Sequence, residues 1–85
     1  MNLLLTIILK DRLETRVSIL KKGRSLREFA KDIGISHAYL SQILTEKRNP
    51  SPTVARKIAS GLEKEFEDIF LVKAVDTTTG DEVVK

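Results

Sequence analysis

The stretch that most constrains the fold is Ser25 to Leu44, SLREFAKDIGISHAYLSQIL. It reads as two short helices meeting at a glycine turn. Ser25 is an N-cap residue with Glu28 three positions on, the spacing of a capping box. Phe29, Ala30 and Ile33, with Leu26 behind them, repeat at helical spacing and mark one apolar face. Gly34 follows where a helix ends by turning its backbone left-handed, which glycine does without a Cβ penalty. Ser36 caps the next helix, and Ile35 and Leu40 are placed to staple across that cap. Leu40, Ile43 and Leu44 give the second helix its buried face. His37, Ala38, Ser41 and Gln42 are left exposed at its start.

The whole chain has 85 residues, enough for one domain. It has no cysteine, which removes disulfides, thiolate metal ligands and a thiol nucleophile, and fits a reducing cytoplasm. The apolar run LLLTIIL is seven residues long, too short to span a bilayer, and no basic segment precedes it. Neither a signal peptide nor a membrane partner is expected. Charge is unevenly spread. Residues 1–60 carry 12 Lys/Arg and 5 Asp/Glu, a net +7; residues 61–85 carry 3 and 7, a net −4. A basic body with an acidic end suits a phosphate-facing surface, although an ordinary solvated surface gives the same counts.

Three segments follow from the chain in order. Residues 1–10 are an apolar N-terminal segment. Periodicity does not decide between a strand and the first turns of a long helix, and Thr6 with two isoleucines leans toward strand. Residues 11–70 form the helical domain. Leu13, Val17 and Leu20 fall at i, i+4 and i+7, which predicts the buried stripe of a first helix ending at Gly23. Thr45 to Pro50 is a polar loop. Ser51 caps a fourth helix with Pro52 at its first position, and Val54, Ala55, Ile58, Ala59 and Leu62 are its buried stripe. Phe66, Ile69 and Phe70 predict a short fifth helix. Residues 71–85 are a β-prone tail, readable as a hairpin of Leu71–Val75 against Glu82–Lys85 or as a single strand. That strand is free to pair with residues 3–9 of its own chain or of a partner.

The Ser25–Leu44 pattern, with Ala30 four before the turn glycine and Leu40 and Ile43 six and nine after it, resembles a helix-turn-helix. Continued through TEKRNPSPTVARKIASGLEKEFEDIF, it resembles the lambda-repressor-like family (Cro/CI type, XRE) over roughly Leu13 to Phe70. The resemblance implies an all-α, five-helix DNA-binding domain, here with a short β-prone C-terminal tail. It also marks departures. The family often has glutamine where Leu26 stands, and glycine between helices 4 and 5 where this chain has Glu63.

Helix 36–45 is the expected reading element, because the major groove admits a helix and shows each base pair as a distinct donor and acceptor pattern. By resemblance, His37, Ala38 and Gln42 occupy base-reading positions. Gln42 is able to bond adenine through two hydrogen bonds, Ala38 to touch a thymine methyl, and Ser41 and Thr45 to bond bases or phosphates. Ser36 is a cap whose neighbouring amides point toward a phosphate site. Tyr39 is either a phosphate ligand through its hydroxyl or a partly buried ring. Lys47, Arg48 and Asn49 follow the reading helix where the family grips the backbone, and contacts there position without reading sequence. Arg27 is a further phosphate candidate or an ordinary solvated side chain.

No catalytic group is expected. His37 is the only histidine and has no serine–acid arrangement around it, and no glycine-rich phosphate loop or metal-ligand spacing is present. No cofactor is expected either. The reading is a small transcriptional regulator, a Cro/CI-like repressor on a double-stranded DNA operator. It is expected to be a homodimer through residues 3–9, 71–84 or both. The alternative is an antitoxin-type module that covers a toxin with its tail and autoregulates its operon.

Overall fold

Capping side chains fix where the helices begin. Asp11, Ser25, Ser36 and Ser51 each accept a hydrogen bond from the backbone N–H three residues on, at 3.0, 3.1, 3.0 and 3.2 Å. Each satisfies a donor that the first helical turn would otherwise leave unpaired. Glu28 returns the bond to the Ser25 N–H at 2.9 Å, completing the capping box. That bond holds the Glu28 carboxyl below its usual range.

The computed structural model describes residues 3–76. The order is β1 (Leu3–Leu9), α1 (Arg12–Lys21), α2 (Leu26–Ile33), α3 (His37–Leu44), α4 (Pro52–Gly61), α5 (Phe66–Ile69) and β2 (Phe70–Asp76). The five expected helices are therefore present, but the fold is not purely α. The apolar N-terminal run is a strand, and it pairs antiparallel with β2 of the same chain, from Leu3 opposite Asp76 to Leu9 opposite Phe70. A lone strand has no partner for its backbone N–H and C=O groups; paired, each strand supplies hydrogen bonds to one edge of the other. Phe70, expected in the fifth helix, is the first residue of β2. Glu82–Lys85, the second arm of the hairpin reading, lies outside the described residues.

The turns after α2, α3 and α4 share one device. After α2, the Ile35 N–H reaches the Ala30 carbonyl at 3.0 Å and the Gly34 N–H reaches Lys31 at 3.2 Å, with Gly34 at φ +81°. The same pair of bonds closes α3 around Glu46 and α4 around Glu63, at φ +62° and +58°. Glu63 thus adopts the left-handed backbone that glycine often supplies at this junction, at a cost of about 1–2 kcal/mol. Its carboxylate stands 3.3 Å from Lys22 Nζ, an exposed pair of small worth.

Ile19, Phe29, Leu40, Ile43, Leu44, Ala55, Ile58 and Phe70 are buried at 2% exposure or less. They bring α1 to α4 and the root of β2 onto one core. Helices α2 and α4 approach closely at Gly61: a Cβ there would lie 2.8 Å from Ile33 Cγ2 and 3.0 Å from the Phe29 ring.

The expected stripe of α1 is on the wrong side. Leu13, Val17 and Leu20 are 68%, 39% and 61% exposed, while Thr15 and Ile19 face the core. The Thr15 hydroxyl donates to the Asp11 carbonyl at 2.9 Å, so it is buried without an unmet donor. The face that packs therefore carries a satisfied threonine and one isoleucine, and three apolar residues on the other face remain in solvent.

Candidate nucleic-acid interface

Helix α3 is two-sided. Leu40, Ile43 and Leu44 are 0–1% exposed and anchor it to the core. Around the cylinder from them, Ala38, Gln42 and Thr45 are exposed, and His37 and Ser41 are half-exposed. Positions i, i+1, i+4, i+5 and i+8 lie on one face of a 3.6-residue helix. The structure therefore gathers His37, Ala38, Ser41, Gln42 and Thr45 into one outward surface held on a rigid base. Helix α2 packs against α3, and Ala30 of α2 is 1% exposed.

The remaining candidates differ in how free they are. Ser36 uses its oxygen to cap α3, accepting from the Tyr39 N–H at 3.0 Å. Thr45 donates its hydroxyl proton to the Ser41 carbonyl at 2.9 Å, so toward a ligand it offers an acceptor. Lys47, Arg48 and Asn49 are exposed on the loop that leaves α3. The turn at Glu46 folds that loop back: the Lys47 and Arg48 N–H groups both reach the Gln42 carbonyl, at 2.9 and 3.2 Å. Tyr39 is half-buried and packs against the core. The Arg48 guanidinium carbon lies 5.2 Å from the centroid of its ring.

Cations near the start of α2 are sorted by pairing. Arg24 grips Asp32 with two bonds, 2.8 and 2.7 Å. That fork holds the Asp32 carboxyl below its usual range and pushes Arg24 up. Arg27 is exposed and, among the described residues, forms no salt bridge, nor do Lys47 and Arg48. Arg56 and Lys57, to which the sequence patterning assigns no role, are both exposed on α4. A Cβ at Gly34 would stand 3.9 Å from Lys57 Nζ, which puts this ammonium by the carbonyl end of α2, where a cation is favoured. The helical register around Ile58 foretells their exposure; nothing in the sequence foretells that approach. Among the described residues no group of three acidic, histidine or cysteine side chains is placed to hold a metal ion. No helix there is long and apolar enough to cross a membrane.

A capped scaffold helix, a left-handed glycine turn and a following helix with a buried back and a small, polar front define a helix-turn-helix unit. The chain belongs to the helix-turn-helix family, whose sequence model matches residues 17–69. That span falls within the lambda-repressor-like (XRE) resemblance read from the sequence, and it makes this a DNA-binding protein and not an enzyme. Over 52 residues the chain is 38% identical to YvzC of Bacillus subtilis (strain 168), described as an uncharacterized HTH-type transcriptional regulator. The match takes in 61% of this chain and 68% of that protein. No solved structure matches the chain.

Proposed function

We propose that the protein is a sequence-specific regulator of transcription that lays the outward face of α3 in the major groove of a short operator. The observation that carries this reading is the division of α3 into a fully buried back and a front of small and polar side chains. Gln42, His37 and Ala38 contact base edges. Ser41, Thr45 and the capped start of α3 at Ser36 lie against bases or the adjacent backbone. Lys47, Arg48, Asn49 and Arg27 hold phosphates on either side. Repression follows by steric exclusion of polymerase from an occupied operator. The similarity to a protein described as a transcriptional regulator supports the regulatory role.

Selection of bound duplexes from random DNA tests this reading. The expected result is a short enriched motif, bound with a steep inverse dependence on salt. Lys47→Ala should weaken enriched and random DNA alike and reduce the salt slope by about one. Recovery of no motif would overturn sequence-specific reading. A changed motif in Lys47→Ala would show that Lys47 reads bases.

One domain reads only a few base pairs, so the functional form proposed is a homodimer on an inverted repeat, with recognition helices roughly 34 Å apart. The ribbon supports this. Leu4, Leu5 and Val72 are 56%, 67% and 52% exposed. The Lys10 N–H bonds to the Ile69 carbonyl at 2.9 Å, continuing the β1–β2 register. Antiparallel alternation then makes Ile8–Leu71 and Thr6–Lys73 the bonded pairs and turns the amides and carbonyls of Leu5 and Ile7 to the outer edge of β1. That strand, LLLTIIL, has no charge or proline to guard its edge. A second copy pairing there is the proposed contact. Sedimentation should find a dimer at micromolar concentration, and Leu5→Lys, at an exposed site, should shift it to monomer. A wild-type monomer at high micromolar concentration, with and without operator, would sink the dimer. The antitoxin-type alternative needs the tail, of which residues 77–85 lie outside the described residues; a stable complex with a toxin on co-purification would favour it.

A further inference from the structure

Tyr39 and Arg48 are nine positions apart, and both were candidates for direct contact with phosphate. Their geometry separates their roles. The Arg48 guanidinium carbon lies 5.2 Å from the centroid of the Tyr39 ring, within the range of a cation–π contact. The ring is itself fixed: it is half-buried against the core, and its backbone N–H is bound by the Ser36 cap at 3.0 Å. The backbone that carries the arginine is fixed from the other side. The left-handed turn at Glu46 reverses the chain, and the Arg48 backbone N–H bonds to the Gln42 carbonyl at 3.2 Å. Among the described residues no carboxylate pairs with Arg48, so its N–H donors remain available to an anion.

We infer that Tyr39 is a positioning residue: its ring, not its hydroxyl, holds the Arg48 guanidinium ready for a DNA phosphate beside α3. The inference rests on the DNA-reading role proposed above. Arginine is suited to it, since a guanidinium is weakly hydrated and stacks on aromatic rings while keeping a fork of donors for phosphate. A long side chain that is already held loses less freedom on binding than one waving in solvent. Because both Lys47 and Arg48 bond to the carbonyl of Gln42, the proposed phosphate grip and the proposed base reader are parts of one rigid piece.

A double-mutant cycle on a random-sequence duplex, at two salt concentrations, tests the assignment. Tyr39→Phe keeps the ring and should bind like the wild type. Tyr39→Leu keeps apolar packing but not the ring, and should lose about two- to fivefold, the range of an exposed cation–π contact. Its salt slope should be unchanged, because the charge remains. Arg48→Ala should flatten the slope by about one, and Tyr39→Leu added to it should cost nothing further. Loss in Tyr39→Phe equal to that in Tyr39→Leu would assign the phosphate contact to the hydroxyl. An undiminished Tyr39→Leu effect in the Arg48→Ala background would make the ring merely structural. Either result overturns the inference while leaving DNA binding intact. A wild type that binds no duplex at low salt overturns the functional reading and this role with it. Should Tyr39→Leu fail to fold, proton NMR of the free wild type and Tyr39→Phe decides. Ring-current upfield shifts of the Arg48 side chain are expected in both, and their absence overturns the contact.

Discussion

Phe70→Ala is expected to destabilise the chain by about 3–5 kcal/mol, the cost of removing a fully buried ring. Phe70 is 1% exposed, and its ring centroid is 5.4 Å from that of Phe66. It is also the first residue of β2, opposite Leu9 at the buried root of the ribbon. One substitution therefore opens a cavity beside α5 and removes the anchor of both strands. A small domain has roughly 5–15 kcal/mol in all, so the variant should be partly unfolded in mild denaturant where the wild type is native. Urea titration followed by circular dichroism measures this. A loss under about 1 kcal/mol would mean that the site collapses around the cavity and that the ribbon does not depend on its root.

The second large effect belongs to function. Gln42→Ala should cost about 1–3 kcal/mol on the best operator and relax preference at one base position. Gln42 is exposed, so the melting curve should hardly move. Its backbone carbonyl, which receives the Lys47 and Arg48 amides, is retained in alanine, so the phosphate loop should stay in place. Competition between the selected operator and its single-base variants measures the preference. An equal loss on every duplex would instead place Gln42 on the phosphate backbone.

The helix-turn-helix was legible because its signals are local. The Ser25–Glu28 box, Gly34 and the Ser36 cap each act within a few residues, and each is found where the spacing puts it. The face of α1 was not legible. Leu13, Val17 and Leu20 outnumber Ile19, and hydrophobic count favours the stripe that the tertiary structure leaves exposed. What turns the other face inward is packing around Ile19 by distant residues, with the Thr15 hydroxyl satisfied within the helix, and periodicity does not carry that packing. The β1–β2 pairing joins segments that lie on either side of the five helices. The sequence offered residues 3–9 as a mate for the tail strand but left open whether in the same chain or a partner, and the structure takes the same chain. The left-handed turn at Glu46 had no glycine to announce it, so the return of Arg48 onto Tyr39 was hidden as well. The base-reading positions were nameable from helix register alone, because once Leu40, Ile43 and Leu44 go inward the opposite face is determined.

The pairing of Leu3–Leu9 with Phe70–Asp76 has a consequence for the order of events during synthesis. β1 is made before the five helices, and its complement is made only after them. The helices rest on short-range contacts and can form early, whereas the ribbon must close a loop that contains all five helices, a step with an entropic cost. Until then an uncharged segment of seven β-prone residues waits without a mate. On a crowded ribosome, where neighbouring nascent chains present the same segment, that interval is when mispairing between chains is most favoured. Cell yield should therefore respond to the rate at which residues 70–76 are delivered, with slow translation just before them increasing aggregation.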